Sequence, residues 1–389
     1  YDGFASAGGT TTDGAFEISK GKVEGKALSS ISFDGTDDVV KSSGSTDIMN
    51  DKDATLSFWY KGGSPGTAKT LLESNDNYNQ ALIYSRNGNE CRLYTTTGAT
   101  NEFGLDSTQV TASGLYNGGW HHMVWVLDHG GQSHVIYVDG VSYPVTHLTA
   151  NNHTVDWNGI SIGGEYGDIT ASMRDVRFYD YHLSADQVAS LYSGSYNVTP
   201  LWGWKLDEGT GNASGFGTAQ SGGAVDLTVT NATWVSGTLN LDGNFKIDDN
   251  GVFSAPRGTV TMEAASAFVF ENESTVSVGT NASGVAITGF IHNNGTVDVD
   301  GSTGSNPVIL EADNVATTTF YNLTISNDHQ IRTFQSLTVE NNYTLADATY
   351  GHIFDPDTLG SKLTLTMGTP TDGGIMTLSG EKLRSTNDS

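Results

Sequence analysis

Three aspartates, Asp34, Asp37 and Asp38, flank a glycine turn in the run Asp34-Gly35-Thr36-Asp37-Asp38. A Ca2+ ion takes about six to eight oxygens, and a glycine turn lets carboxylates and backbone carbonyls converge on one point. The run is therefore a candidate structural Ca2+ site. An ordinary Asp-rich turn is the competing reading, and both stand. Asp139-Gly140 and Asp242-Gly243 read as hairpin turns. His121 and His122 are strand neighbours whose side chains point to opposite faces, so they cannot chelate one ion together. His129 and His134 flank a glycine turn without an evident third ligand, and no zinc is assigned. A glycosidase needs two carboxylates set across a bond. The available pairs, Asp298/Asp300 and Asp355/Asp357, read as solvated turn residues. No Gly-x-Ser-x-Gly elbow, P-loop or dinucleotide fingerprint is present.

The elements that would carry these residues are strands. Leu56, Phe58 and Tyr60 alternate with Thr55, Ser57 and Trp59, and further alternating runs fall at 81–84, 122–127, 134–138, 160–162 and 175–179. Glycine pairs and Asn-Gly or Asp-Gly turns separate them. One helix is expected over Ala185–Tyr192, where Ser184 and Gln187 have capping-box spacing. The 389 residues suit two or three domains. Eighteen Lys+Arg against 44 Asp+Glu leave a net charge of −26, which excludes a basic face for nucleic acid. A polybasic membrane contact is excluded likewise, and no apolar run reaches the roughly 20 residues of a spanning helix. Cys91 is the one cysteine, so no intramolecular disulfide can form. The start at Tyr1 and the polar Ser-Thr-Asn-Asp-Ser end suit a fragment or processed product.

Six blocks in order carry a resemblance. They are Phe33-Asp34-Gly35-Thr36-Asp37-Asp38-Val39, Leu56-Ser57-Phe58-Trp59, Trp120-His121-His122-Met123-Val124, Val135-Ile136-Tyr137-Val138-Asp139-Gly140, Ser161-Ile162-Gly163-Gly164, and Asp175-Val176-Arg177-Phe178-Tyr179-Asp180 before the Leu183-Ser184 helix start. The series resembles the laminin-G-like, concanavalin A-type jelly roll in its microbial and phage variety, over roughly residues 10–196. The resemblance implies two packed antiparallel sheets, a structural Ca2+, and glycan or protein binding on a rim or concave face. It also implies that the Asp34 turn packs near the strand starting at Asp175, which adds Asp175 to Asp34, Asp37 and Asp38 as candidate ligands. Glucanases of this fold carry Glu-x-Asp-x-x-Glu on one strand. The nearest match, Glu311-x-Asp313-x-x-Ala316, lacks the final Glu and lies outside the jelly roll. No enzyme is expected.

Sugars are held by aromatic faces and planar polar side chains on loops, and sandwich loops cluster at the two ends. Asn75, Asn77 and Tyr78 form one candidate loop, with Trp157-Asn158 and Glu165-Tyr166 as others. The competing reading has Trp157 and Tyr166 plugging the core. Trp59, Trp120, Trp125, Trp202 and Trp204 read as packing residues.

The domains expected are a jelly roll at 1–197, a bridging segment resembling a truncated second module at 198–250, and a β-solenoid or second β domain at 251–389. The last rests on an internal echo: Phe270-x-Asn272-x-Ser274-Thr275-Val276 recurs at Ile291-x-Asn293-x-Gly295-Thr296-Val297. Looser echoes fall at Leu323-Thr324-Ile325, Leu337-Thr338-Val339 and Leu363-Thr364-Leu365, and Phe320-x-Asn322-Leu323 matches Phe334-x-Ser336-Leu337. The whole reads as an all-β, non-catalytic protein of an extracellular or virion surface. A phage or virus tail or head fibre fits, its jelly roll recognising a surface polysaccharide or a neighbouring virion or surface protein, and its stalk of a kind that can be homotrimeric. A structural decoration protein, a polysaccharide depolymerase and a bacterial adhesin are the alternatives.

Overall fold

A computed structural model describes residues 11–12, 16–24, 29–43, 47–50, 52–74, 82–86, 89–96, 100–129, 131, 133–145, 156–164, 167–194, 198–218, 225–241, 245–262, 269–272, 277–280, 286–300, 308–311, 318–326, 331–333, 337–346, 352–354, 365–367, 375–378 and 383–385. The chain is mostly β and divides into two units. One is Ser29–Val235, and the other joins Gly3–Leu28 to Ser236–Ser389.

The Ser29–Val235 unit is an antiparallel sandwich. Among the described residues its larger sheet has nine strands, with Asn117–Leu127, Ala54–Gly63 and Thr170–Tyr179 side by side at its centre. The smaller has seven and runs from Thr100–Leu105 through Glu90–Thr96, Leu82–Arg86, Lys69–Glu73, Ser161–Ile162 and Val39–Ser42 to Leu227–Thr230. Strand alternation puts Leu56, Phe58, Tyr60, Met123, Trp125 and Phe178 of the first sheet against Val40, Leu72, Ile83, Leu93, Phe103 and Ile162 of the second. The outer face of the larger sheet has a core of its own. Helix α2 (Ala185–Tyr192), closed by the expected Ser184–Gln187 capping box, lays Val188 and Leu191 over Val124, Val126 and Tyr179. A second helix, α1 (Ser107–Ser113), was not expected. Its signature is legible: Asp106 and Gln109 form a capping box, and Gly114 ends the helix at φ 70°.

The expected boundary at 197/198 does not hold. Trp202–Trp204 pairs with Thr170–Tyr179, Thr233–Val235 pairs with Ser30–Asp34, and Leu227–Thr230 pairs with Val39–Ser42. The supposed bridge thus completes both sheets as far as Val235, because Trp202, Trp204, Ala213 and Leu227 are core residues of the sandwich.

In the other unit every described pairing but one is parallel. Thr11–Thr12, Leu239–Leu241, Thr259–Met262, Thr296–Asp300, Thr318–Ser326, Leu337–Ala346 and Leu365–Met367 form one ladder. Phe16–Glu24, Phe245–Ser254, Val269–Asn272, Val308–Glu311, Ile331–Thr333, His352–Phe354 and Leu383–Ser385 form a second. In chain order these fourteen strands alternate between the two ladders, while Phe290–Ile291 pairs with Phe245–Ser254 and Ile375–Leu378 with Leu337–Ala346. Leu241, Met262, Val299, Ile325 and Leu345 are buried in a core formed with Phe245, Phe253, Phe290 and Phe320. Asn322 ties the neighbouring strands by donating from Nδ2 to Thr296 Oγ1 at 3.2 Å and accepting from Asn341 Nδ2 at 2.8 Å. The single exception is the antiparallel pair Ser277–Thr280 and Ala286–Thr288. The unit begins before the sandwich, so the expected start at 251 is also corrected: the sandwich is an insertion into this unit's sequence.

Candidate functional site

The Asp34 turn is closed by its own hydrogen bonds. Asp34 Oδ1 accepts from Thr36 N at 2.8 Å and Thr36 Oγ1 at 2.6 Å, and Asp38 Oδ2 accepts from the Asp34 amide. The Thr36 bonds hold the Asp34 carboxyl below its ordinary pKa, whereas burial pushes that of Asp38 up. Asp37 takes φ 51° and Gly35 φ 94°; a Cβ at Gly35 would come within 2.5 Å of Thr170 Oγ1.

Asp175 does not join this turn. Asp34 pairs across the ladder with Thr170. Asp175 lies five residues further along that strand, roughly 16 Å away at strand rise. It occupies a bulge at φ 53°, where the strand exchanges the Ser30–Asp34 partner for Trp202–Trp204, and its Oδ1 accepts from Arg177 Nε at 2.7 Å. The set Asp34, Asp37, Asp38 and Asp175 therefore does not fit one Ca2+.

Trp157 is a core residue: it is 0% exposed and meets Phe178 edge-on at 5.3 Å. Its ring has no free face for a sugar, which corrects the expectation. Ser74 Oγ and the Asn158 backbone are joined at 3.1 Å, which brings the chain before residue 75 to Asn158. Asn75, Asn77 and Tyr78 lie outside the described residues, as do Glu165 and Tyr166. The flanks of 165–166 adjoin the far end of Ser161–Ile162, where Gly167 O accepts from Thr70 N at 3.0 Å.

A ligand set that sequence reasoning missed gathers at three neighbouring strand ends. Ala54 and Leu127 are cross-strand partners, so Asp53 and Asp128 are neighbours. Thr55 Oγ1, buried, donates to Tyr181 O at 2.8 Å and accepts from Leu183 N at 3.1 Å, and this staple sets His182 beside them. Asp53, Asp128 and His182 each offer a ligand atom within 4.8 Å of the others. His182 Nε2 is 2.9 Å from Leu127 O and 3.5 Å from Asp53 Oδ1; Asp53 Oδ1 also accepts from His129 N, and Asp128 Oδ2 from Ser133 N. Tyr181, next in the chain, is 40% exposed. The signal was a pairing one: an Asp just before one strand and just after its partner.

His121 and His122 take separate partners, as alternation requires. His121 Nδ1 lies 2.7 Å from Asp139 Oδ2, and His122 Nε2 lies 2.8 Å from Ser57 Oγ. The latter resembles a nucleophile–base pair, but Ser57 is 2% and His122 1% exposed, and His122 Nδ1 has no hydrogen-bond partner. Beside it, the Arg174 guanidinium lies 5.0 Å from the Trp59 ring centroid and 4.5 Å from that of Trp120.

Residues 34–189 match the family described as the concanavalin A-like lectin/glucanases superfamily, and the sandwich is a concanavalin A-like domain. The receptor-binding domain of a botulinum neurotoxin C/D mosaic serotype is similar at 14% identity and a TM-score of 0.32, over 39% of this chain and 38% of that one. A heptameric SAP-like pentraxin from Limulus polyphemus is similar at 14% identity and a TM-score of 0.33, over 42% of this chain and 81% of that one. The binding domain of botulinum neurotoxin DC, solved in complex with rat synaptotagmin II, is similar at 14% identity and a TM-score of 0.30, over 37% and 36%. The match thus spans 38% of the first toxin domain's own length. No curated protein sequence matches the chain. Among the described residues no helix is long and apolar enough to cross a membrane.

Proposed function

We propose that the chain is a non-catalytic surface protein whose concanavalin A-like sandwich recognises a polysaccharide. The observation that carries this reading is the strand-end constellation: three convergent ligand groups, Asp53, Asp128 and His182, with the exposed Tyr181 one residue before His182 in the chain. An aromatic face beside carboxylates is the chemistry that holds a pyranose ring and its hydroxyls. A divalent cation belongs to the proposal. Asp53, Asp128 and His182 would hold it, and when bound it supplies a Lewis-acid centre for sugar hydroxyls. An imidazole in the set suits a transition metal or Zn2+ better than Ca2+, which prefers oxygen throughout.

The absence of catalysis is part of the same proposal. Ser57 at 2% and His122 at 1% exposure are too buried for that pair to serve as nucleophile and base. For the second unit the proposal is a β-solenoid stalk. Two parallel ladders with strands alternating between them support it. The setting proposed is an extracellular or virion-surface appendage, such as a phage fibre, presenting the sandwich to a host polysaccharide. A binding panel of surface polysaccharides with and without EDTA tests the function. Binding to a defined polymer, weakened by Tyr181→Ala, is expected. Unchanged binding in that variant contradicts the site, and no binding to any polymer favours a structural decoration role.

A further inference from the structure

The outer face of the nine-stranded sheet carries a second feature, away from the Tyr181 end. Lys61 pairs across the ladder with Trp120 on one side and Ser172 on the other, and Ser172 pairs with Ser32, so these four side chains share one face. Arg174, two residues past Ser172, reaches from the same face to place its guanidinium between Trp59 and Trp120. Trp59 in turn stacks on Tyr192 of α2, with centroids 5.9 Å and planes 20° apart. The result is a layered stack, Tyr192, Trp59, Arg174 and Trp120. Its inner members Trp59 and Arg174 are each 7% exposed, while Trp120 at its end and Lys61 beside it are partly exposed.

The charge of this shelf runs against that of the chain. The sequence holds 18 Lys+Arg against 44 Asp+Glu, yet Lys61 and Arg174 come together here on two adjacent strands, beside Trp120. The nearby carboxylates have partners of their own: Asp175 meets Arg177 at 2.7 Å, Asp139 meets His121 at 2.7 Å, and Asp34, opposite Thr170 on the same face as Ser32, accepts from Thr36 N and Oγ1. Lys61 and the Trp59 neighbour Ser57 sit four residues apart on this face, and the Tyr181 staple at Thr55 lies two residues beyond Ser57, roughly 20 Å from Lys61 at strand rise.

We propose that the Trp120–Lys61 shelf is a subsite for an acidic sugar residue, taking a uronate whose ring stacks on Trp120 and whose carboxylate meets Lys61 and the edge of the Arg174 field. Ser172 and Ser32 supply hydroxyls for the ring. This rests on the polysaccharide-binding reading and names the polymer class. An aromatic shelf without the cations would serve a neutral glycan as well. In a chain of net charge −26, a cationic island is the place where an anion is attracted instead of repelled.

Titration calorimetry of the full chain with polygalacturonate and with neutral dextran tests it. Polygalacturonate is expected to bind more tightly than dextran, and high salt is expected to remove the preference. Trp120→Ala is expected to lower affinity for polygalacturonate by about tenfold, as loss of a stacking face does. Because Trp120 also packs on Arg174, Lys61→Glu serves as a second variant on a partly exposed side chain, and it is expected to abolish the preference with an unchanged melting temperature. Equal affinity for the two polymers, or wild-type affinity in folded Lys61→Glu, overturns the subsite. Retained dextran binding that falls in Tyr181→Ala would then leave the saccharide reading standing, whereas no binding of polygalacturonate overturns the subsite and leaves the saccharide reading to the surface-polysaccharide panel.

Discussion

Phe16 lies directly across from Phe245 in a parallel ladder, although the whole sandwich separates them in sequence. Parallel neighbours require a crossover connection. Here the crossover is an entire domain: the chain lays down one strand in each ladder, at Thr11–Thr12 and Phe16–Glu24, builds the sandwich, and returns to pair on those strands.

Removing residues 1–28 takes from Phe245–Ser254 its longest partner. All seven tryptophans lie between Trp59 and Trp234, inside the sandwich, so tryptophan fluorescence reports that unit alone. The truncated chain is expected to keep its tryptophan-detected melting transition, while the transition seen by far-UV circular dichroism of the ladders moves down. A drop in both by the same amount would contradict the insertion.

Trp157→Ala removes a fully buried ring from the sandwich core. A cost of about 3–5 kcal/mol is expected. Polysaccharide affinity of the fraction that remains folded should be unchanged. Urea denaturation followed by binding at low denaturant measures both, and a stable protein with lost binding would restore Trp157 to the rim.

Much of the sandwich was legible because its elements announce themselves locally. Alternation at 55–60 fixed both faces of one strand, and the Ser184–Gln187 spacing fixed α2. The Asp53–Asp128–His182 set was not legible, since its members come together only through the Ala54–Leu127 pairing and the Thr55 staple. Asp175 was misplaced because a bulge at φ 53° and a change of partner are invisible in the side-chain pattern. In the second unit the echoes misled on register. Leu337 pairs with Leu365, not Leu363, and Leu323 pairs with Tyr343, not Leu337. Phe270 pairs with Phe245 and Leu310, while Ile291 pairs with Ser254. The chain returns to each ladder through connections of unequal length, and Leu365–Met367 and Ile375–Leu378 join the same ladder in succession, so no fixed period survives.

Burial pushes the Cys91 thiol up to about 12, and the residue is 0% exposed. Thiolate is the reactive form. Native protein is expected to be inert to a disulfide reagent at neutral pH, with one thiol per chain appearing in denaturant. Rapid native labelling would show that the seven-stranded sheet opens at the Glu90–Thr96 strand.

His122 has its pKa pushed down to about 3, first by burial and further by Arg177 and Arg174, against the opposing Asp139. The unfolded chain therefore binds a proton that the folded chain refuses between about pH 6.5 and 3. Stability from this group is full above pH 6.5 and falls with acid, by about 1.4 kcal/mol per pH unit within the window. His122→Gln should flatten that part of the stability–pH curve. An unchanged slope would show that other groups set it.

Polysaccharide binding by the full chain, with and without EDTA and in parallel with Tyr181→Ala, bears most directly on the central claim. Binding that falls on chelation and again in the variant, with melting temperatures preserved, is the expected result. Binding that survives both changes, or a protein that binds no surface polysaccharide in either condition, would contradict a recognition site at the Asp53–Asp128–His182 strand ends.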